Sequence, residues 1–268
     1  MTLRVTILGC GGSAGVPLIG GADGRGEWGV CDPSEPRNRR TRASIVLERA
    51  GRRLLVDTSP DLRSQLLACA IPSVDAIFYT HAHADHITGL DDVRILNRIV
   101  DRPLEAFGGV AALTEIEQRF GYAFRPRDAD FFYRPVLLAR PVAPGERAVM
   151  AGMELRLFEQ DHGFSRTLGF RVGGFAYSTD VVTLDEPALA ILAGVDTWLV
   201  GCFQRAPHRT HAHLGQVLEW TERLRPARTV LTHMGTDLDW AWLRDNLPAG
   251  IEPAHDAMVL TIPDSGAA

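Results

Sequence analysis

Apolar residues recur along this chain in short runs of strand length, many of them ending on a polar or ionisable residue. LRVTILG (3–9), SIVLER (44–49), RLLVDT (53–58), AIFYTH (76–81) and LEAFG (104–108) form the first set. ELRLFEQDH (154–162), LGFRVGGFAYSTD (168–180), TWLVGC (197–202), RTVLTH (228–233) and AMVLTI (257–262) form the second. β-Branched and aromatic residues dominate these runs, and each predicts a strand. Other segments space their apolar residues three and four apart and predict helices: PDLRSQLLACA (60–70), VAALTEIEQRFG (110–121), LDEPALAILAG (184–194), HLGQVLEWTERL (213–224) and LDWAWLRDNL (238–247). Strands come early without helices between them and alternate with helices later. That order predicts a layered α/β fold with two sheets rather than one doubly wound sheet.

The pattern shows no repeat, no low-complexity tract and no boundary, so residues 1–268 are read as one domain. The longest aperiodic stretch is the glycine- and arginine-rich region 20–42, which the loop-length prior marks as functional or locally mobile. GCGGSA (9–14) follows a strand and loosely fits a dinucleotide-binding turn. That motif needs a helix to open at once, and here Val16-Pro17 and further glycines follow. A plain tight turn is the better reading.

Composition narrows the classes. The net charge is −5, which argues against a general affinity for nucleic acid or anionic membrane. All 28 basic residues are arginine, a usage typical of GC-rich bacterial coding. The four cysteines (Cys10, Cys31, Cys69, Cys202) form no CxxC pair, so neither a thiolate zinc site nor a redox pair is readable. The N-terminus reads as a strand and a glycine turn rather than a signal peptide, and no apolar run is long enough to span a bilayer. The expected location is the cytoplasm, with reduced cysteines.

The chemistry concentrates in HAHADH, 81–86. His81 and His83 lie two apart at the end of a strand and can face one cation. Asp85 and His86 lie past the turn and can face a second. These nitrogen and oxygen ligands suit zinc and also tolerate manganese or iron. Other strand ends supply further ligand types: His162, Asp180 and His233. Singly, each would more simply be a cap; together with HAHADH they read as one site.

On these residues the chain resembles the metallo-β-lactamase-fold hydrolases, from TILGCGGS through LLVDTSPD and HAHADH to LTHMG. The resemblance implies an αββα sandwich with two divalent cations, Zn2+ or Mn2+, in a cleft at one edge. By it, His81, His83 and His162 hold one cation, Asp85, His86 and His233 the other, and Asp180 bridges the two. Asp57 matches an early family aspartate and is expected to orient a ligand histidine, with a capping role as the alternative. β-Lactam-cleaving members commonly place a cysteine where Asp180 stands. A carboxylate bridge holds cations about 3.5–4 Å apart, as in enzymes that attack phosphate in line. A phosphodiesterase is therefore favoured, with a hydroxide between the cations as nucleophile.

A second histidine run, APHRTHAHLG (206–215), resembles the acid-bearing loop of the PhnP-like cyclic phosphodiesterases and of ribonuclease Z. By alignment on the helix that follows, His211 takes the acid position, with His213 as the competing candidate and His208 expected at the surface. PhnP-like enzymes commonly carry a cysteine-rich zinc knuckle; only Cys31 remains here, and no structural zinc is expected. Arg39, Arg40 and Arg42 either reach substrate phosphate or belong to a solvated loop. The aspartate that often precedes the acid loop is replaced by Val200-Gly201. The expected substrate is a small cyclic or nucleotide phosphodiester, and assembly as a homodimer is compatible with the chain. The competing readings are a ribonuclease Z-type nuclease, a lactonase or thioesterase on the same centre, and a metal-containing binding protein like the pyrroloquinoline-quinone biosynthesis B protein. No inserted arm of the tRNA-binding kind is visible, and the full ligand set argues against a degenerate site.

Overall fold

The computed structural model describes residues 2–127 and 132–263. Two seven-stranded sheets face each other. The first contains β1 (Leu3–Gly9), β2 (Ser44–Arg49), β3 (Arg52–Val56), β4 (Ala76–Tyr79), β5 (Leu104–Gly109) and β6 (Leu137–Val142) in chain order, with β14 (Val259–Ile262) added beside β1. The second runs β7 (Arg147–Met150), β8 (Met153–Asp161), β9 (Arg166–Val172), β10 (Phe175–Ser178), β11 (Thr197–Gly201), β12 (Arg228–Thr232) and β13 (Ile251–Pro253), also in chain order. Helices α1 (Leu62–Ala68), α3 (Val93–Val100) and α4 (Val110–Phe120) cover the first sheet. Helices α5 (Glu186–Leu192), α6 (Leu214–Leu224) and α7 (Trp240–Asn246) cover the second, and the one-turn α2 (Ala84–Ile87) follows β4. The layered α/β expectation holds.

Side-chain alternation explains the layers. Leu54 and Val56 point between the sheets, while Leu55 points under the helices, so β3 is apolar on both faces. Phe78 of β4 meets Phe170 of β9 edge to face across the sandwich, with ring centroids 5.7 Å apart. The run 168–180 is two strands rather than one. The chain turns at Gly173, where φ is +56°, and β9 pairs antiparallel with β10. Strands β6, β7 and β13 lay outside the predicted set. All three are sheet edges, and an edge strand buries too few side chains to show a strong period. Past β1 no helix opens; Gly15 N–H closes a turn onto Gly12 O at 2.9 Å.

Topology places the site. β3, β4 and β5 run parallel, as do β10, β11 and β12. β8 pairs antiparallel with β9, and β9 with β10, so β8 points the same way as β10. The carboxyl ends of β4, β8, β10 and β12 therefore converge, the usual position for a ligand site in such sheets. Phe170→Ala removes a fully buried ring from the intersheet layer and is expected to cost about 3–5 kcal/mol in chemical denaturation.

Candidate metal centre

Four of the clustered side chains sit just past a strand, while His83, Asp85 and His86 lie on and before the one-turn α2. His81 follows β4, His162 follows β8, Asp180 follows β10 and His233 follows β12. Three residues of this edge adopt left-handed backbone: Asp57 (φ 62°), Asp180 (φ 50°) and His233 (φ 54°). This conformation costs a non-glycine residue of the order of 1–3 kcal/mol. At each position it turns the chain sharply as the strand ends.

The side chains form two adjoining groups, and a third, His162, Asp180 and His211, overlaps both. His81, His83 and His162 bring ring nitrogens within 4.8 Å of one another, and Asp85, His86, Asp180 and His233 do the same with nitrogens and carboxylate oxygens. Asp180 lies between them. Its Oδ2 is 3.1 Å from His86 Nε2, while its Oδ1 is 3.3 Å from His233 Nε2 and 3.6 Å from His162 Nε2.

Hydrogen bonds settle which nitrogens face inward. Thr80 Oγ1 donates its single proton to Asp57 Oδ2 at 2.8 Å, so it accepts from His81 Nδ1–H at 3.0 Å. His81 Nε2 is then a buried lone pair with no partner. His86 Nδ1–H donates to Asp57 Oδ2 at 2.7 Å, and its Nε2 likewise faces the cluster. His162 Nδ1–H donates to Thr210 O at 2.6 Å, leaving Nε2 only 3.3 Å from His83 Nδ1. His233 has both ring nitrogens buried and unpartnered. Such a collection of inward lone pairs is unfavourable by itself and is what divalent cations require.

The electrostatics agree for His81 and His162, whereas burial opposes the His86 imidazolium but Asp180, Asp85 and Asp57 push its pKa well up, a pull that a bound cation would replace. Burial pushes the His81 imidazolium pKa well down, and burial also lowers that of His162 to about 4, so both favour the neutral ligand form. Burial opposes the Asp180 carboxylate, but His233 and His86 hold its pKa well below the ordinary range. Asp85 behaves the same way: desolvation raises it, and His86 and His233 outweigh that. Asp57 is pushed up by burial and stabilised in its charged form by His86 and Thr80.

The remaining candidates are placed as follows. His211 reaches the cluster, with Nε2 3.2 Å from Asp180 Oδ1 and its ring stacked on His233 at 5.0 Å. His213 does not: it caps α6, accepting Gln216 N–H on Nδ1 at 2.9 Å. His208, expected at the surface, is half-buried against Phe203, with Nδ1 3.2 Å from His211 Nδ1. The arginines correct another expectation. Arg40 is 2% exposed and donates to Gly235 O, Leu238 O and Asn38 Oδ1, so its guanidinium is committed to the backbone behind His233 and does not reach a substrate. Arg42 pairs with Asp61 at 3.0 Å, and Arg39 lies over Trp28 at 4.8 Å. Residues 20–42 include a clasp on the His233 loop. Thr80, Thr210 and Phe203 were missed from sequence. Thr80 and Thr210 act by directly preceding a site histidine, and no residue type signals that.

Comparison with known proteins agrees with the geometry. The Beta-lactamase superfamily domain model matches residues 52–234. A crystal structure described as a new diphosphatase from the PhnP family is 33% identical, covers 98% of both chains and superposes with a TM-score of 0.88. An octanoyltransferase of Porphyromonas gingivalis is 29% identical over 98% of this chain, which spans only 52% of that protein. The anti-Pycsar protein Apyc1 of Paenibacillus harenae is 28% identical over 73% of this chain and 84% of its own length. No described helix is long and apolar enough to cross a membrane.

Asp57→Asn is expected to weaken divalent-metal affinity about 10–100-fold in chelator competition, because His86 loses the carboxylate that orients it. Strand ends, ligand groups and relatives converge: the chain belongs to the beta-lactamase superfamily and, within it, to the PhnP family, as a metal hydrolase.

Proposed function

We propose that the protein is a dinuclear metal-dependent phosphodiesterase acting on a small cyclic or nucleotide phosphodiester. The observation that supports this reading is Asp180: one carboxylate adjoins both ligand groups, and His211 Nε2 lies 3.2 Å from the same carboxylate. His81, His83 and His162 would hold one cation, Asp85, His86 and His233 the other, with Asp180 between; Zn2+ and Mn2+ both suit this donor set. When bound, the two cations supply charge to polarise the phosphoryl oxygens and to activate water for in-line attack.

The chain's own groups do the rest. Asp57 and Thr80 fix the His86 and His81 rings, and Thr210 O fixes His162. His211 is the proton donor to the departing alkoxide. Thr210 Oγ1 lies 2.8 Å from its Nδ1, and His208 Nδ1, which accepts Thr210 N–H, lies 3.2 Å from the same nitrogen. Its Nε2 faces Asp180 Oδ1, at the meeting point of the two ligand groups. His213 is the weaker candidate for that role, because its Nδ1 caps α6 and no contact among the described residues joins its ring to Asp180.

A phosphoanhydride is the second reading, favoured by the similarity to a PhnP-family diphosphatase along the whole chain. The two differ in leaving group, phosphate rather than alkoxide, and a phosphate leaving group depends less on an acid.

With Mn2+ or Zn2+, bis(p-nitrophenyl) phosphate is expected to be hydrolysed, and Asp180→Ala to abolish turnover together with stoichiometric metal content. Absence of turnover on any phosphodiester by the metal-replete protein would sink this reading. On an alkyl leaving group, His211→Ala is expected to lower kcat about 10²–10⁴-fold. His213→Ala should instead cost about 1 kcal/mol of stability through the lost cap, with kcat nearly retained. A larger kcat loss at His213 would reverse the assignment.

A further inference from the structure

We infer that Phe203 is a positioning residue for His211, and that Gly12, in the GCGGSA turn, carries no side chain so that the Phe203 ring can stand where it does. This rests on the phosphodiesterase reading, with His211 as the proton donor.

Phe203 lies two residues past β11 and is half-buried. Its ring meets three imidazoles. The centroid of His211 is 4.9 Å away with the planes 30° apart, that of His208 is at 5.1 Å and that of His233 at 6.3 Å. Aromatic rings attract one another at such spacings beyond simple burial. The backbone under the ring is fixed on both sides. Phe203 N–H donates to Ala212 O, and Phe203 O accepts from Gly235 N–H, each at 2.9 Å. The first bond ties Phe203 to the residue after His211. The second ties it to the loop that carries His233. His211 therefore packs on a surface that has little freedom of its own.

An edge of the same ring meets the turn after β1. A Cβ at Gly12 would stand 2.8 Å from Phe203 Cε2 and 3.1 Å from its Cδ2, well inside ordinary carbon contact; the next atom, His233 Cε1, is at a normal 3.6 Å. The Gly12 backbone is not left-handed. Glycine is needed here for close approach to the ring, not for the turn. The turn is itself anchored, by Gly12 N–H to Met234 O at 3.1 Å and Gly11 N–H to Thr41 O at 2.8 Å. Neither backbone can retreat cheaply, so a side chain at position 12 moves the ring, and the ring moves what packs on it. Of the three imidazoles His211 lies nearest. Its task is sensitive to place. As the P–O bond breaks, the electron pair stays on the departing oxygen, and that oxygen takes the His211 Nε2 proton. Misplacing such a donor by about 1 Å can cost about 10²-fold in rate.

The test uses Gly12→Ala, which removes no polar group. Turnover of a 2′,3′-cyclic nucleotide, which expels an alkoxide, is measured against bis(p-nitrophenyl) phosphate, whose p-nitrophenolate leaves without a proton. Gly12→Ala is expected to lower the ratio of the two kcat values about tenfold, with KM and metal stoichiometry retained. In a Phe203→Ala background the same change is expected to cost nothing further, because the clash is gone; Phe203→Leu replaces it if that variant fails to fold. A loss shared equally by both substrates, a loss of bound metal, or additive effects of the two changes overturns the inference. A second readout needs no turnover. In the Zn2+-loaded protein the His211 ring C–H resonances, assigned by their absence in His211→Ala, are expected to shift in Gly12→Ala and in the Phe203 variant. Unshifted resonances also overturn the inference. A parent protein that hydrolyses no phosphodiester removes the phosphodiesterase reading, and the resonances then decide whether Phe203 positions His211.

Discussion

A buried imidazole lone pair with nothing opposite it is a cost, and this protein gathers several into one cleft. His81, His86 and His233 each aim an unpartnered nitrogen inward, and the carboxylates of Asp85 and Asp180 crowd the same space. Nearly every unusual local feature serves that arrangement. Three residues take left-handed backbone to enter it, and a threonine and an aspartate fix ring tautomers behind it. The two sheets supply the rigidity. An intersheet layer packed as tightly as Phe78 on Phe170 leaves the strand ends little freedom to relax away from one another.

Within that arrangement the two histidine-rich runs divide the labour. HAHADH supplies nitrogens whose protons point outward, to Thr80 and Asp57, so their lone pairs point in. The 208–211 loop is built differently: Thr210 Oγ1 and His208 Nδ1 stand behind the His211 ring, and its Nε2 faces Asp180. Similar residue types are thus set differently by what stands behind each ring. A single carboxylate, Asp180, touches both sets and couples them.

Much of this was legible before the fold. The strand ends carrying His162, Asp180 and His233 read as ligands because an ionisable residue after an apolar run is cheap to spot and because HAHADH gave them a partner. What escaped had two physical causes. Edge strands β6, β7 and β13 bury too few side chains to print a period. And the groups that tune the site act through backbone or through the residue next door: Thr80, Thr210 and the carbonyls of Gly235 and Leu238 have no distinctive spacing. Arg40 misled for the same reason. An arginine in a polar loop looks free, and only the fold shows that its guanidinium is spent on main-chain carbonyls.

Arg40 also lies outside residues 52–234, the span shared with the superfamily model. It joins Gly235 across 195 positions, and Thr41 joins Asp256 across 215. The ligand cluster itself is drawn from residues 81 to 233. No contiguous piece of the chain can therefore close the cleft alone, and contacts of such long sequence separation form late. The two ends of the described chain are thereby tied to the same edge of the sandwich as the ligands.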